Sequence, residues 1–428
     1  MITTKQLKEL IEAEVIDDVT AMKITAFYKE KSGGANRRLA VIFSILGALL
    51  IGLGVIEIIA HNWDSFSRLT KGIFSMSPLI IGQFICGITL FQKKKLSIWH
   101  EAAASFLVMA IGASISLISQ TYHMDGEMSS FMISWIIPIL PVIYLMRSSM
   151  ATAFYVIGAA IYAGSLGPKS DPLLFLLSYG GLLLPMLPYY ISLIKRAPSG
   201  AMTTLLHWVV VLTTSLVVLT AFKDAEVVWI VPLYLSVFIT LYLIGIGGFA
   251  KTLSAKYSAY SMVGSLGALS VLFTLSNDHY WRKLSSASFS LSDMIMQPSI
   301  WCTIVCVVVS AVLLYRVIKL QKRRWSLSPL VYSILLYIPV FLISVYLPVG
   351  KLFTNILLLF IGIYYILDGY KKNLWQSTNL GLLILFVWTQ FRLFDMKMDF
   401  VVKGILFILL GGCFIGANIW ILMRKRVK

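Results

Sequence analysis

Six side chains interrupt the apolar stretches of this sequence with groups that could do chemistry. They are Glu57, His61, Asn62 and Asp64 in "VIEIIAHNWD", and Gln120 and His123 in "SLISQTYH". Glu57 and His61 stand four residues apart and share one face of a helix, and Asp64 continues that face if the helix persists. Imidazoles and carboxylates at one level can relay protons, act as general acid and base, or ligate a divalent metal. In the metal case His61, His123 and Asp64 would be the ligands. Their spacing matches no fixed metal motif such as HExxH. A plainer account covers part of the set. An imidazole suits the negative end of a helix, Asn62 suits a left-handed cap, and Trp63 suits a membrane interface. That account leaves out Glu57, an acid one turn inside an apolar run.

The elements that must carry these residues follow from composition. The chain has 428 residues, 58% of them hydrophobic and only 13% charged, and its mean hydropathy is +0.85. A soluble domain carries roughly a quarter of its residues as charges. Apolar runs long enough to cross a hydrocarbon core of about 30 Å recur between residues 39 and 423. The reading is an all-α, polytopic transmembrane helix bundle of about 14 spans (12–14). The predicted spans begin near Leu39, Gly72, Leu96, Phe131, Met150, Pro172, Met202, Val227, Tyr257, Ile300, Pro329, Leu352, Leu374 and Phe400. Only Arg147 separates the fourth from the fifth.

A net charge of +17 would suggest nucleic acid in a soluble protein. Here the cations sit in short loops, so membrane topology accounts for them and no nucleic-acid partner is expected. Lys93-Lys94-Lys95, Lys195-Arg196, "RVIKLQKRR" (316–324), Lys371-Lys372 and the tail at 424–428 fall on one side, and the acidic loop "QTYHMDGEMSS" (120–130) falls on the other. Both termini are therefore expected in the cytoplasm, with His61 and His123 at the extracytoplasmic ends of two outward-running helices. His100-Glu101 starts its helix at the opposite face. There Glu101 suits the positive helix end, and His207 is a lone, structural histidine. Arg392 and Asp395 read as an interfacial ion pair. Residues 1–38 differ from the rest and predict a short cytoplasmic helical hairpin, with Thr3 and Gln6 in a capping box and Asp17 or Asp18 capping the second helix. It would dock on the membrane domain (39–423) or hold a partner protein.

Cys86, Cys302, Cys306 and Cys413 lie within apolar runs and imply neither a zinc site nor a disulfide framework. Pro138, Pro141, Pro185, Pro188 and Pro232 are candidate broken-helix positions, because proline removes a helical donor and frees a carbonyl. Pro138, Pro185 and Pro232 are evenly spaced, as in a repeated two-helix unit. Paired broken helices often build the substrate site of carriers.

The motifs "GALLIGLGVIEIIAHNWD" (47–64), Lys71 a turn later, "HEAAASF" (100–106) and "SLISQTYH" (116–123) occur together and in order. With them the chain resembles, over roughly residues 5–165, the bacterial predicted-membrane-protein family called domain of unknown function 2157. The ending, "FRLFD", "GILFILLGG" and Asn418, is similar to the tail of such proteins. The resemblance implies a multi-pass protein of the bacterial cytoplasmic (inner) membrane with a cytoplasmic N-terminal segment, and it assigns no activity. Residues 166–423 hold the remaining spans.

Interior prolines and glycines, few interior charges and no P-loop or dinucleotide fingerprint favour a transporter or flippase of an amphipathic or lipid-linked substrate. The His/carboxylate group would then stand at the outer mouth. The alternatives are an intramembrane hydrolase or transferase using the same group, with or without a metal, and a non-catalytic assembly scaffold. No organic cofactor is expected, and a divalent metal is the one ion the group could hold. The expected partners are membrane lipids and a cytoplasmic or periplasmic protein.

Overall fold

Long apolar runs closed by capping residues dictate helices. The computed structural model is helical throughout its described residues, with no strand among them. It describes residues 63–91, 97–166 except Asp125, 171–247 except Asp224, 258–286, 296–321, 328–395 except Val345 and Pro348, and 401–409, with a few isolated positions including Asp17, Thr20, Ala21 and His61. The chain divides into two compact units, Met1–Phe74 and Ser75–Lys428.

In the first unit Asp17 caps a helical turn: its carboxylate accepts from the Thr20 amide at 3.1 Å. Those bonds hold the Asp17 carboxyl below the usual carboxylate range. Most of the expected hairpin lies outside the described residues, as does the first expected span. Residues Trp63–Ser65 form a 3-10 turn. Ser67 then caps helix α1 (Arg68–Phe91), its hydroxyl accepting from the Thr70 amide at 3.2 Å.

The helices that follow are α2 (Ser97–Thr121), α3 (Met128–Met146), α4 (Ser149–Ser165), α5 (Pro172–Leu183), α6 (Leu187–Arg196), α7 (Ala201–Ala221) and α8 (Val227–Gly247). Beyond them come α9 (Ala259–Leu275), α10 (Asp278–Ser286), α11 (Pro298–Gln321), α12 (Ser333–Ser344), α13 (Gly350–Lys371) and α14 (Trp375–Asp395). Among the described residues, eight segments are long and apolar enough to cross a membrane, with Pro172–Arg196 (α5 continued through a 3-10 turn into α6) counted as one, and nine if the bent pair α9/α10 forms one span. Ser149–Ser165 and Leu335–Ser344 are apolar but shorter. Arg147 separates α3 from α4 by taking the left-handed conformation at φ 49°, after which Ser148 caps α4.

Two apolar cores organise the second unit. One joins α1 through α4 with Met186, Tyr190 and Leu206. The other joins α8 through α14. A small cluster of Val211, Leu241, Ala259 and Tyr260 lies between α7, α8 and α9. The closest helix pairs are made by glycine. A Cβ at Gly264 would strike the Tyr242 backbone where α9 meets α8, and one at Gly381 would sit 2.6 Å from the Gly362 carbonyl where α14 meets α13.

Of the candidate broken-helix prolines, Pro138 and Pro141 lie inside an unbroken α3 and Pro232 inside an unbroken α8. The Val228 carbonyl, four residues before Pro232 and so without its helical donor, accepts the Tyr280 hydroxyl at 3.1 Å. Pro185 lies in a 3-10 turn, Leu184–Met186, that separates α5 from α6, and Pro188 sits in the first turn of α6. Nearby carbonyls at this break are taken by tyrosines: Tyr155 donates to Leu182 at 2.7 Å, and Tyr144 donates to Pro185. The evenly spaced prolines do not come with evenly spaced helices, since their helices begin at Met128, Pro172 and Val227. The second break is a 67° bend between α9 and α10.

Candidate functional site

Asn62 and Glu57 lie outside the described residues. His61 and Asp64 are exposed, whereas Trp63 between them is buried at 8% exposure. Its indole packs edge-on against Phe66, and the Lys71 ammonium stands 5.8 Å over the ring. That distance makes a cation–π contact. The tryptophan of "HNWD" and the lysine a turn later therefore hold one turn together.

Gln120 and His123 are exposed in the second unit, at the end of α2. His123 has φ 51°. The Met124 amide reaches the Ser119 carbonyl at 2.9 Å and the His123 amide reaches that of Gln120 at 3.4 Å. This is a Schellman helix end, with histidine in the left-handed position that glycine usually fills. The Ser119 hydroxyl fastens it by donating to the Met124 carbonyl at 2.8 Å. Among the described residues, no three His, Cys, Asp or Glu side chains are grouped so as to hold a metal ion.

Three polar networks elsewhere went unread in the sequence. Glu101 does not serve its own helix. Its carboxylate accepts from the Ser148 hydroxyl, from the Ser149 amide at 2.8 Å and from the Met150 amide at 2.9 Å, so it caps α4 from across the bundle. Its neighbour His100 meets the Thr89 carbonyl near the end of α1 at 3.1 Å. The pair "HE" thus ties two other helices to the start of α2.

His207 is buried and keeps company. The Tyr190 hydroxyl lies 2.5 Å from its Nδ1 and 2.9 Å from the Tyr260 hydroxyl, linking α7, α6 and α9. No Asp, Glu, Lys or Arg occurs on α4, α5, α7 or α9. Hydrogen bonds link the two tyrosine hydroxyls and the His207 Nδ1 where an unpaired charge would be costly.

The third network surrounds the α9/α10 bend. The Ser276 carbonyl, at the end of α9, accepts from the Arg392 guanidinium and from Asn355 Nδ2 at 3.2 Å. Trp388 in turn donates to Asn355 Oδ1 at 2.8 Å. Arg392 caps a distant helix end, where its charge suits the negative dipole, and its expected ion pair with Asp395 falls outside the described residues.

Between the glycine-packed hairpins α8/α9 and α13/α14 lies a groove of about 360 Å³. Ile246, Met262, Leu266 and Leu380 form its apolar walls, and Tyr242, Ser261, Ser265, Tyr365, Gln376 and Ser377 supply hydroxyl and amide groups. Tyr242 and Tyr365 both line it, and Ser328 donates to the Tyr365 hydroxyl at 2.9 Å. No residue lining the groove is charged. A smaller space of about 140 Å³ lies near the other end of α8, lined by Trp229, Pro232, Tyr337 and Phe341 among others.

An all-helical bundle with many apolar, membrane-length helices and an uncharged groove defines a multi-pass membrane protein. Residues 8–152 match the model of a predicted-membrane-protein family, domain of unknown function 2157. The match covers the motifs from "HNWD" to "QTYH" and ends within α4. No curated protein and no solved structure matches the chain.

Proposed function

We propose that the protein is a carrier or flippase of an amphipathic, lipid-type substrate in the bacterial cytoplasmic membrane. In this reading it has about 14 spans: the eight membrane-length segments, the bent pair α9/α10, the shorter α4 and α12, α14, and the two expected from the sequence near Leu39 and Phe400. Both termini are cytoplasmic, as the loop cations require. The groove is the observation that carries the proposal: its volume is in the range of small-molecule sites, and its walls are apolar while hydroxyls and an amide are gathered within it. Such a lining suits a molecule with one oily and one polar part. The end marked by Lys371 and Lys372 is the cytoplasmic one, and His123 and Gln120 at the end of α2 belong to the opposite, extracytoplasmic face, as His61 and Asp64 do by the charge pattern of the loops.

Mass spectrometry of the protein in lipid discs, beside Leu266→Trp, tests this reading. The unsubstituted protein should retain an amphipathic species through mild delipidation, and the tryptophan should displace it. Equal retention by both proteins, or retention by neither, would remove the groove as the substrate site.

A further inference from the structure

The polar groups of the groove carry its chemistry further. We infer that it accepts a lipid with an uncharged, hydroxyl-rich headgroup, such as a glycosyl diacylglycerol, in preference to an anionic phospholipid. The inference rests on the reading of the groove as the substrate site. Tyr, Ser and Gln side chains both donate and accept hydrogen bonds, as sugar hydroxyls do, whereas a phosphate only accepts and needs a cation or an array of N–H donors. The lining offers no cation. The nearest charge along α13, Asp368 three residues beyond Tyr365, is paired with Lys372 at 2.6 Å, and Lys371 beside it is not part of the lining.

The occupant is a lipid and not a free sugar because the groove opens towards hydrocarbon. Leu266, which forms one wall, is 56% exposed, and Met262 beside it is 36% exposed. Both stand on one face of α9, four residues apart, so this wall of the groove is itself exposed apolar surface. Gly264 holds α9 against α8, so the wall has a rigid backing and the polar groups of α9 and α14 stay in place. A chain can therefore lie along Met262 and Leu266 while its headgroup reaches Ser265, Tyr365 and Gln376.

The test uses the full-length protein in discs holding equal mole fractions of monoglucosyl diacylglycerol and phosphatidylglycerol, with retained lipid counted by mass spectrometry. Enrichment of the glycolipid by roughly tenfold is expected, the scale of a few well-made hydrogen bonds. The double variant Ser265→Ala with Gln376→Ala should lose most of that preference while still retaining lipid. Leu266→Trp should retain neither. Phosphatidylglycerol held equally or better by the unsubstituted protein would overturn the headgroup assignment and leave the groove a lipid site. Glycolipid enrichment unaffected by Leu266→Trp, or no enrichment of either lipid, would overturn the groove itself and the proposed function with it. Because the unsubstituted protein alone decides the headgroup, misfolding of a variant does not shelter the claim.

Discussion

His123 and Glu101 show how much one side chain can organise. At φ 51°, His123 pays the steric penalty of a left-handed residue. Replacing it by glycine should raise thermal stability by up to about 1 kcal/mol, and His123→Val should lower it by a similar or larger amount, both read from melting in detergent. The same pair examines the outer-mouth role: if His123→Gly melts higher yet loses lipid movement in vesicles, the imidazole itself works in transport. Glu101 holds one hydroxyl and two amides at the start of α4. Removing the acceptor in Glu101→Ala should cost roughly 3 kcal/mol, because the α4 amides lose their only charged partner. Glu101→Gln keeps one acceptor oxygen and should cost less. Equal melting of Glu101→Ala and the parent protein would show the carboxylate to be idle.

At the scale of the element, proline and tyrosine compensate each other. Pro232 supplies no donor to Val228, and Tyr280 supplies one from α10. Tyr280 also bonds to Tyr337 at 2.7 Å, so the hydroxyl ties α8, α10 and α12 together. Tyr280→Phe should therefore destabilise by about 1–2 kcal/mol, the cost of an orphaned buried carbonyl. Placed on a Pro232→Ala background, where the helix regains its own amide donor, the same substitution should cost clearly less. Additive effects in this double-mutant cycle would mean that the two residues do not share the carbonyl. The left-handed ends at His123, Arg147 and Asn373 follow one design: each closes a helix without glycine and sends the chain into the next helix after a short turn.

At the scale of the whole molecule, the second unit is two apolar cores joined at the middle helices, and the groove sits between two stiff hairpins of the second core. Its width depends on glycine. A Cβ at Gly381 would meet the Gly362 carbonyl at 2.6 Å and the Ile366 amide at 2.7 Å, both backbone atoms that cannot turn aside. Gly381→Ala should cost about 2 kcal/mol and widen or distort the groove, so retained lipid should fall along with the melting temperature. Gly180→Ala is the control: among the described residues nothing lies within 4 Å of its added Cβ, and the change should be neutral or slightly stabilising. Equal effects of the two substitutions would detach the groove from helix packing.

The helices themselves were legible in the sequence. The expected starts near Phe131, Met150, Pro172, Met202, Val227, Tyr257, Ile300, Pro329, Leu352 and Leu374 each fall within a few residues of an observed helix, because hydropathy and capping act between neighbours in the chain. So did the Asp17 cap and the motifs shared with the membrane-protein family. Proline was legible as a loss of donors, but not how each helix would answer it: α3 and α8 stay α-helical throughout, while at Pro185 the span tightens into a 3-10 turn. Which residues work together was decided by tertiary structure alone. Glu101 finds its donors at Ser148–Met150, His207 finds Tyr190 and Tyr260, and Arg392 finds Ser276. Inside a bilayer a polar group must meet its partner within hydrogen-bond reach, and across a bundle that partner is set by which helix faces meet, a quantity no local pattern records.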